Sequence, residues 1–213
     1  MGKSQSETRP GAGGQLLDPR GRVEVEEKGL APRLESLEGT TVGLLDNAKP
    51  NADRFLDAVG EMLVDEYGVE AVERASKHAA AVSGGSLLPE LRAECDAVVN
   101  AYGDCGSCTS WCVHDSATLE LQGVPTATIN SDEFVRLGQS DARALGLPGL
   151  PLVTVPHPMG DVSPDVVRSR ARDTIAEIAA VLTTSRTELD DEYRGKFLGE
   201  NEELTDEDLY CPL

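Results

Sequence analysis

The chain has no surplus of basic charge, no long apolar run and no second pair of closely spaced cysteines, and each absence closes off a class of function. Nineteen Lys and Arg face 38 Asp and Glu in 213 residues, a net charge of −19. Contacts to phosphates need a local excess of cations, so neither nucleic acid nor an anionic membrane is the expected partner. No run of eighteen apolar residues occurs, and Met1 to Glu7 lacks the apolar segment of a secretory signal. A cytoplasmic protein is expected. A structural zinc site draws its ligands from two separated knuckles, and the chain offers one Cys-x-x-Cys only. The cysteines number five, an odd count, and three crowd into one short stretch, unlike the framework of a disulfide-stapled secreted fold.

What is present is concentrated. Asp104-Cys105-Gly106-Ser107-Cys108-Thr109-Ser110-Trp111-Cys112-Val113-His114 holds three of the five cysteines and one of the three histidines in eleven residues. It follows the apolar run Ala97 to Tyr102 and precedes a helical pattern, so it lies where a strand hands over to a helix. A thiolate there meets the positive end of the helix dipole and unpaired N–H groups, which lowers its pKa and raises its nucleophilicity at neutral pH.

The length accommodates one domain with extensions. Residues 1 to 15, rich in Gly, Ser and Pro, read as a disordered arm, 16 to 185 as a single α/β domain, and 186 to 213 as an acidic tail. Arg22 to Glu26 and Leu30 to Leu37 are read either as short edge strands or as chain wrapped over the core. From residue 41 strands and helices alternate. The predicted strands are Thr41 to Asp46, Val69 to Ala75, Ala97 to Tyr102, Val124 to Ile129 and Leu152 to Val155. The predicted helices are Ala52 to Tyr67, Leu87 to Cys95, the cysteine motif to about Leu121, Ser131 to Leu145, and Ser163 to about Thr183. Gly123 stands where a left-handed C-cap is expected, and Ser163-Pro164 opens its helix with a cap and a proline in the first turn. This alternation implies a mostly parallel sheet with helices on both faces, Rossmann-like or flavodoxin-like, whose ligands bind beyond the carboxyl ends of the strands. Four loops fall at that edge: Asp46 to Asn51, the cysteine motif, Asn130 to Asp132, and Pro156 to Pro158.

Within them Cys105 is the candidate nucleophile and Cys108, one helical turn on, the resolving thiol. The plain alternative is a buried pair of small apolar residues, which would require neither the flanking Asp104, Gly106 and Ser107 nor a helix entrance. Asp104 and His157 are candidates for moving protons, His157 as a loop residue between two prolines. Lys49, with Asn47 and Asn51, reads as a holder for an anionic substrate group at a helix N-terminus, and Ser107, Thr109 and Ser110 as further substrate contacts. A solvated turn is the alternative for Lys49. Cys105, Cys108 and Cys112, with His114, could instead converge on copper, zinc or iron, since Cys108 and Cys112 share a helical face. No cofactor is required by the first reading. Cys95 reads as core, Trp111 as a packing residue, and Cys211 as a bystander or a tail thiol that folds back.

Three stretches together, Leu44-Leu45-Asp46-Asn47-Ala48-Lys49-Pro50-Asn51, the cysteine motif through Asp115, and Val155-Pro156-His157-Pro158, resemble the UGSC family of selenoproteins and their cysteine counterparts over roughly residues 40 to 180. In that family the first motif position is selenocysteine or cysteine, here Cys105. The motif is similar, more distantly, to the selenoprotein B subunit of glycine and betaine reductases, and the Asn-Ala-Lys-Pro-Asn loop to proteins of Asp/Glu racemase-like architecture. The resemblance implies a chalcogen-based redox or substitution reaction on a small molecule, because interchange of selenium and sulfur at one position is useful only where that atom reacts. Cys112 and the acidic tail depart from the family pattern and favour specialisation, through a metal or through a partner protein engaged by the tail. A homodimer is the expectation from fold alone.

Overall fold

Short runs rich in small and β-branched residues build five strands that pair only in parallel. The computed structural model describes residues 25–199 and 202–205. The predicted disordered arm and Cys211 lie outside the described residues. The order along the chain is β1 (Thr41–Asp46), α1 (Ala52–Tyr67), β2 (Ala71–Ser76), α2 (Leu87–Glu94), β3 (Ala97–Gly103), α3 (Gly106–Leu121), β4 (Thr126–Ser131), α4 (Val135–Ala144), β5 (Leu152–Val155), α5 (Pro164–Thr183) and α6 (Arg186–Tyr193). The strands lie in the order β2-β1-β3-β4-β5, the doubly wound, flavodoxin-like arrangement. The α/β fold expected from the alternation is therefore the fold found.

Helices α1 and α5 pack together on one face of the sheet, and α2, α3 and α4 cover the other. The interior strands are closed off from water on both sides: every residue of β3 and of β4 is buried. The edge strand β2 is only half-covered, with its charged pair Glu73 and Arg74 exposed. In α1 the face of Phe55, Leu56, Val59, Met62 and Leu63 is buried and enters the main core with Leu44, Val99 and Ile178. Gly68, in the left-handed conformation at φ 71°, ends α1, and Gly123 at φ 91° follows α3 in the position predicted for it.

The Leu30 to Leu37 segment takes the second of its two expected forms, and two boundaries depart from the sequence pattern. The segment from Leu30 to Leu37 forms no strand. It wraps the core, with Leu30, Ala31 and Leu37 buried. Strand β4 runs on to Ser131, paired with Val155, so α4 begins only at Val135, and Asp132 serves a turn and not a helix cap. The acidic stretch after residue 185 is in part folded onto the domain: α6 buries Leu189 and Tyr193, and the Gln139 side chain accepts the N–H groups of Phe197 and Leu198. Hydrophobic residues spaced among the acids supply that anchor. No helix among the described residues is long and apolar enough to cross a membrane.

Glu120, near the end of α3, fastens three segments. Its buried carboxylate accepts hydrogen bonds from the Ala31 amide at 2.8 Å, from Arg33 at 2.8 Å, and from both the amide and the hydroxyl of Thr126 at 2.6 and 2.9 Å. Removing one partner of a buried pair leaves the other charge without compensation. Glu120→Ala is expected to lower unfolding stability by about 3–5 kcal/mol, measured by urea denaturation.

Candidate thiol site

In this strand order the chain reverses its direction of winding between β1 and β3, so the loops that leave these two strands part from one another: α1 lies on one face and α3 on the other. A crevice opens at such a point. Lys49, from the loop after β1, crosses it. Its Nζ is 2.8 Å from Asp104 Oδ1 and 3.8 Å from the Cys105 sulfur, both from the loop after β3. The ion pair is largely sheltered, with side chains 20% and 9% exposed.

Cys105 is the N-cap of α3, with extended backbone (φ −156°, ψ 168°), and Cys108 stands at the third helical position. Their sulfurs are 2.6 Å apart, and both thiols are free. Cys105 is half-buried and Cys108 buried. The Cys108 thiol is the largest influence on Cys105: by donating a hydrogen bond it stabilises the thiolate. Burial opposes this, and the Cys108 amide and the Lys49 charge support it, so the Cys105 pKa falls to about 5. Cys108 moves the other way, held protonated first by that same hydrogen bond and then by burial. Its sulfur also lies 3.6 Å from Asp104 Oδ1 and accepts the Asp104 N–H at 3.3 Å. For Lys49, burial works against the charge, but the hydrogen bond and attraction of Asp104, with the two sulfurs, outweigh it and raise the pKa.

The seat of α3 on the sheet depends on Gly103. A Cβ there would come within 2.7 Å of Asn130 Nδ2 and of Thr109 Cα and Oγ1, so a side chain would drive the first turn of α3, and Cys105 with it, off the strand. Asn47 Nδ2 ties the β1 loop to the same turn through the carbonyls of Tyr102 and Cys108, each at 3.0 Å. Asn51, at φ 68°, donates Nδ2 to the carbonyls of Met159 at 2.9 Å and Val162 at 3.1 Å, and the Tyr102 hydroxyl donates to the Pro50 carbonyl. The loop after β5 is thereby lashed to the loop after β1. Asp132 Oδ1 accepts the His157 N–H at 2.9 Å, and His157 Nδ1 is 3.2 Å from Ser131 Oγ. The four loops named by the sequence form one connected rim.

Not every candidate residue faces the crevice. Asn47 and Asn51 spend their amide donors on backbone carbonyls, so they shape the rim and are not free to hold an anion. Thr109 is fully buried. The Ser110 hydroxyl donates to the Gly106 carbonyl at 3.2 Å, and Ser107 is exposed at the helix entrance. Cys112 shares the face of Cys108 but lies one turn deeper, where its thiol points at the carbonyls of Asn100 at 3.7 Å and Ile129 at 4.0 Å. Burial raises its pKa. His114 stacks edge-on against Trp111, ring centroids 5.3 Å apart. Among the described residues, the group that brings three metal-ligating atoms within 4.8 Å of one another is Asp104, Cys105 and Cys108. The structure brings neither Cys112 nor His114 to that group.

Two buried residues escaped the sequence reading. Asp115 of α3 pairs with Lys77 at 2.9 Å, both essentially unexposed, and also accepts from Ser83 Oγ and the Gly84 amide at 3.0 Å. It thereby pins the turn after β2 to the helix that carries the thiols. A carboxylate amid buried helix positions was a signal for Asp115, but nothing around Lys77 marked it out.

The model of the UGSC family matches residues 15–184. The chain belongs to the UGSC family. No curated protein matches the chain. Among solved structures, it is similar at 17% identity and a TM-score of 0.38 to a flavodoxin-like domain from Synechococcus, over 68% of this chain and 99% of that one. A diflavin flavoprotein A3 from Nostoc gives the same identity and TM-score over 67% and 96%. In this UGSC protein Cys105 is the residue that Lys49 and Cys108 hold toward the thiolate form.

The sign of the pH dependence follows from the lowered pKa. Cys105 is protonated below about pH 5 and anionic above it, so its alkylation by iodoacetamide should rise through that value and level off well below the range of an ordinary thiol. Lys49→Met removes a cation that favours the thiolate, and the midpoint should move up. Peptide mass mapping of alkylated Cys105 across a pH series measures both midpoints.

Proposed function

We propose that this UGSC protein is a thiol-dependent oxidoreductase or transferase that acts on a small electrophilic molecule, with Cys105 as nucleophile and Cys108 as resolving thiol. The observation that carries the reading is the opposed pair of sulfurs 2.6 Å apart, one biased toward the anion and the other toward the neutral thiol. Such a pair separates the roles of attacking and resolving group.

In the first step the Cys105 thiolate forms a bond to an electrophilic sulfur or carbon, and the leaving group departs with the bonding electrons. In the second, the Cys108 thiol gives its proton to Asp104, whose Oδ1 is 3.6 Å away, and attacks the Cys105 sulfur. A Cys105–Cys108 disulfide forms, and the bound fragment leaves with two electrons and takes up a proton, reduced where the cysteines are oxidised. His157, oriented by Asp132 and Ser131, is proposed to protonate the departing group. An external dithiol closes the cycle by reducing the disulfide.

A second reading rests on Asp104, Cys105 and Cys108 offering one ligand atom each within 4.8 Å. A soft ion, copper, zinc or iron, would be held by two thiolates and a carboxylate. The Lys49 ammonium now bridging Asp104 and Cys105 would have to withdraw. Elemental analysis of protein purified without added metal decides between the two readings, a near-stoichiometric ion favouring the second.

Bis(2-hydroxyethyl) disulfide serves as a general sulfur electrophile for the first reading. The wild-type chain is expected to release 2-mercaptoethanol and gain an internal Cys105–Cys108 disulfide. Cys108→Ser should stop at a mixed disulfide on Cys105, visible in the intact mass. Cys105→Ser should react more slowly on the order of a hundredfold, since the remaining motif thiols are buried and protonated. Unchanged turnover in both variants would remove the dithiol scheme.

A further inference from the structure

We infer that the Cys105 site selects neutral or positively charged electrophiles and disfavours anions, the reverse of what the sequence alone implies for Lys49. The inference rests on the nucleophilic reading of Cys105 given above and adds the charge class of the substrate.

A lysine beside a helix N-terminus ordinarily marks an anion site, but this lysine is already engaged. Its ammonium sits 2.8 Å from Asp104 Oδ1 and 3.8 Å from the Cys105 sulfur, so two anionic groups share one cation. The entrance of α3 adds the equivalent of about half a positive charge, and no acidic residue lies in its first turn. The sum over thiolate, carboxylate, ammonium and helix end is roughly half a negative charge. An arriving anion gains nothing from Lys49 that Asp104 has not already taken.

The rim carries three carboxylates, Asp46, Asp53 and Asp132, against two guanidinium groups held by neutral acceptors, Arg54 and Arg170, so its balance adds to the negative side. Asp46 lies at the end of β1, where it accepts the Ala48 amide at 2.7 Å, Asp53 is exposed in the first turn of α1, and Asp132 stands beside His157. Of the cations on neighbouring elements, Lys77 is buried against Asp115. Arg54 reaches Asn51 Oδ1 at 2.7 Å, and Arg170 points beneath the β5 loop at the carbonyls of Pro156 and Pro158. The neutral amides that could have received an anion, those of Asn47 and Asn51, already donate to backbone carbonyls. Among the described residues, the cation close to the Cys105 sulfur is Lys49, already paired with Asp104, and carboxylates stand on the rim around it.

Three methanethiosulfonates of similar size test this, one with a trimethylammonioethyl group, one with a plain methyl group and one with a sulfonatoethyl group. Each reacts by the same balanced step: the Cys105 thiolate forms an S–S bond to the sulfenyl sulfur, the S–SO2 bond breaks, and methanesulfinate leaves with the electron pair. Rates are followed by intact mass in a Cys108→Ser, Cys211→Ser background, with peptide mapping to Cys105, and each is divided by the probe's intrinsic reactivity, the rate for 2-mercaptoethanol thiolate at high salt, where the charge of that free thiolate is screened. The normalised cationic-to-anionic ratio is expected to exceed about threefold, the effect of half a negative charge about 6 Å from probes that differ by two charges in a water-like medium, and to shrink with added salt. Asp104→Asn, which releases the ammonium, should lower that ratio below one. A normalised ratio at or below one in the parent background would overturn the charge inference while leaving the nucleophile in place. Absence of reaction at Cys105 with all three probes near pH 7 would instead remove the nucleophilic reading, and this inference with it.

Discussion

Because β1 and β3 are neighbours whose following helices go to opposite faces of the sheet, the chain cannot close the space between their ends. It can only bridge it. The bridge is the ammonium of Lys49, set between a carboxylate and a sulfur that both belong to the β3 loop. Everything chemically unusual in the molecule is arranged around that crossing. The crevice comes from strand order, the sulfur from the cap of α3, and the charge balance from a single salt bridge that is mostly withdrawn from solvent and therefore weakly screened.

The surrounding polar groups act as scaffolding for this arrangement. Asn47, Asn51 and the Tyr102 hydroxyl turn loops of irregular backbone into a rigid rim by satisfying carbonyls that secondary structure leaves unpaired. Asp115 and Glu120, both buried on α3, instead accept backbone N–H groups, of the turn after β2 and of the wrapped segment at Ala31. α3 is thus clamped along its length: at its entrance by the absence of a side chain at Gly103, and further on by two carboxylates. Such fixing suits a reaction in which two sulfurs must keep their separation through a change of partner.

Much of this was legible in the residues. The alternation of short runs of small and β-branched residues with helical periodicity gave the parallel sheet, even though the buried strands also carry polar residues such as Asn100, Thr128 and Asn130. The cysteine motif at a strand-to-helix junction located the site through the dipole argument alone. Less legible were the partners. That Lys49 faces Asp104 depends on β1 and β3 being adjacent, and no local pattern encodes a contact between residues 55 positions apart. The same limit hid Lys77 from Asp115. Asn47 and Asn51 looked like ligand-binding amides because an unpaired amide and one bonded to a distant carbonyl have the same sequence. Cys112 looked like a third ligand because helical spacing gives the face but not the depth, and one turn beyond Cys108 that face is already under the sheet. The late start of α4 has a similar origin, since pairing of Ser131 with Val155 prevailed over a capping sequence.

The placement of Cys112 also governs what oxidative stress does to the motif. Its sulfur is fully buried and turned into the sheet toward two backbone carbonyls. On the proposed thiol chemistry, an oxidant that finds the crevice would encounter one pair of motif sulfurs, 2.6 Å apart, and a disulfide between them would be reversible by thiol exchange.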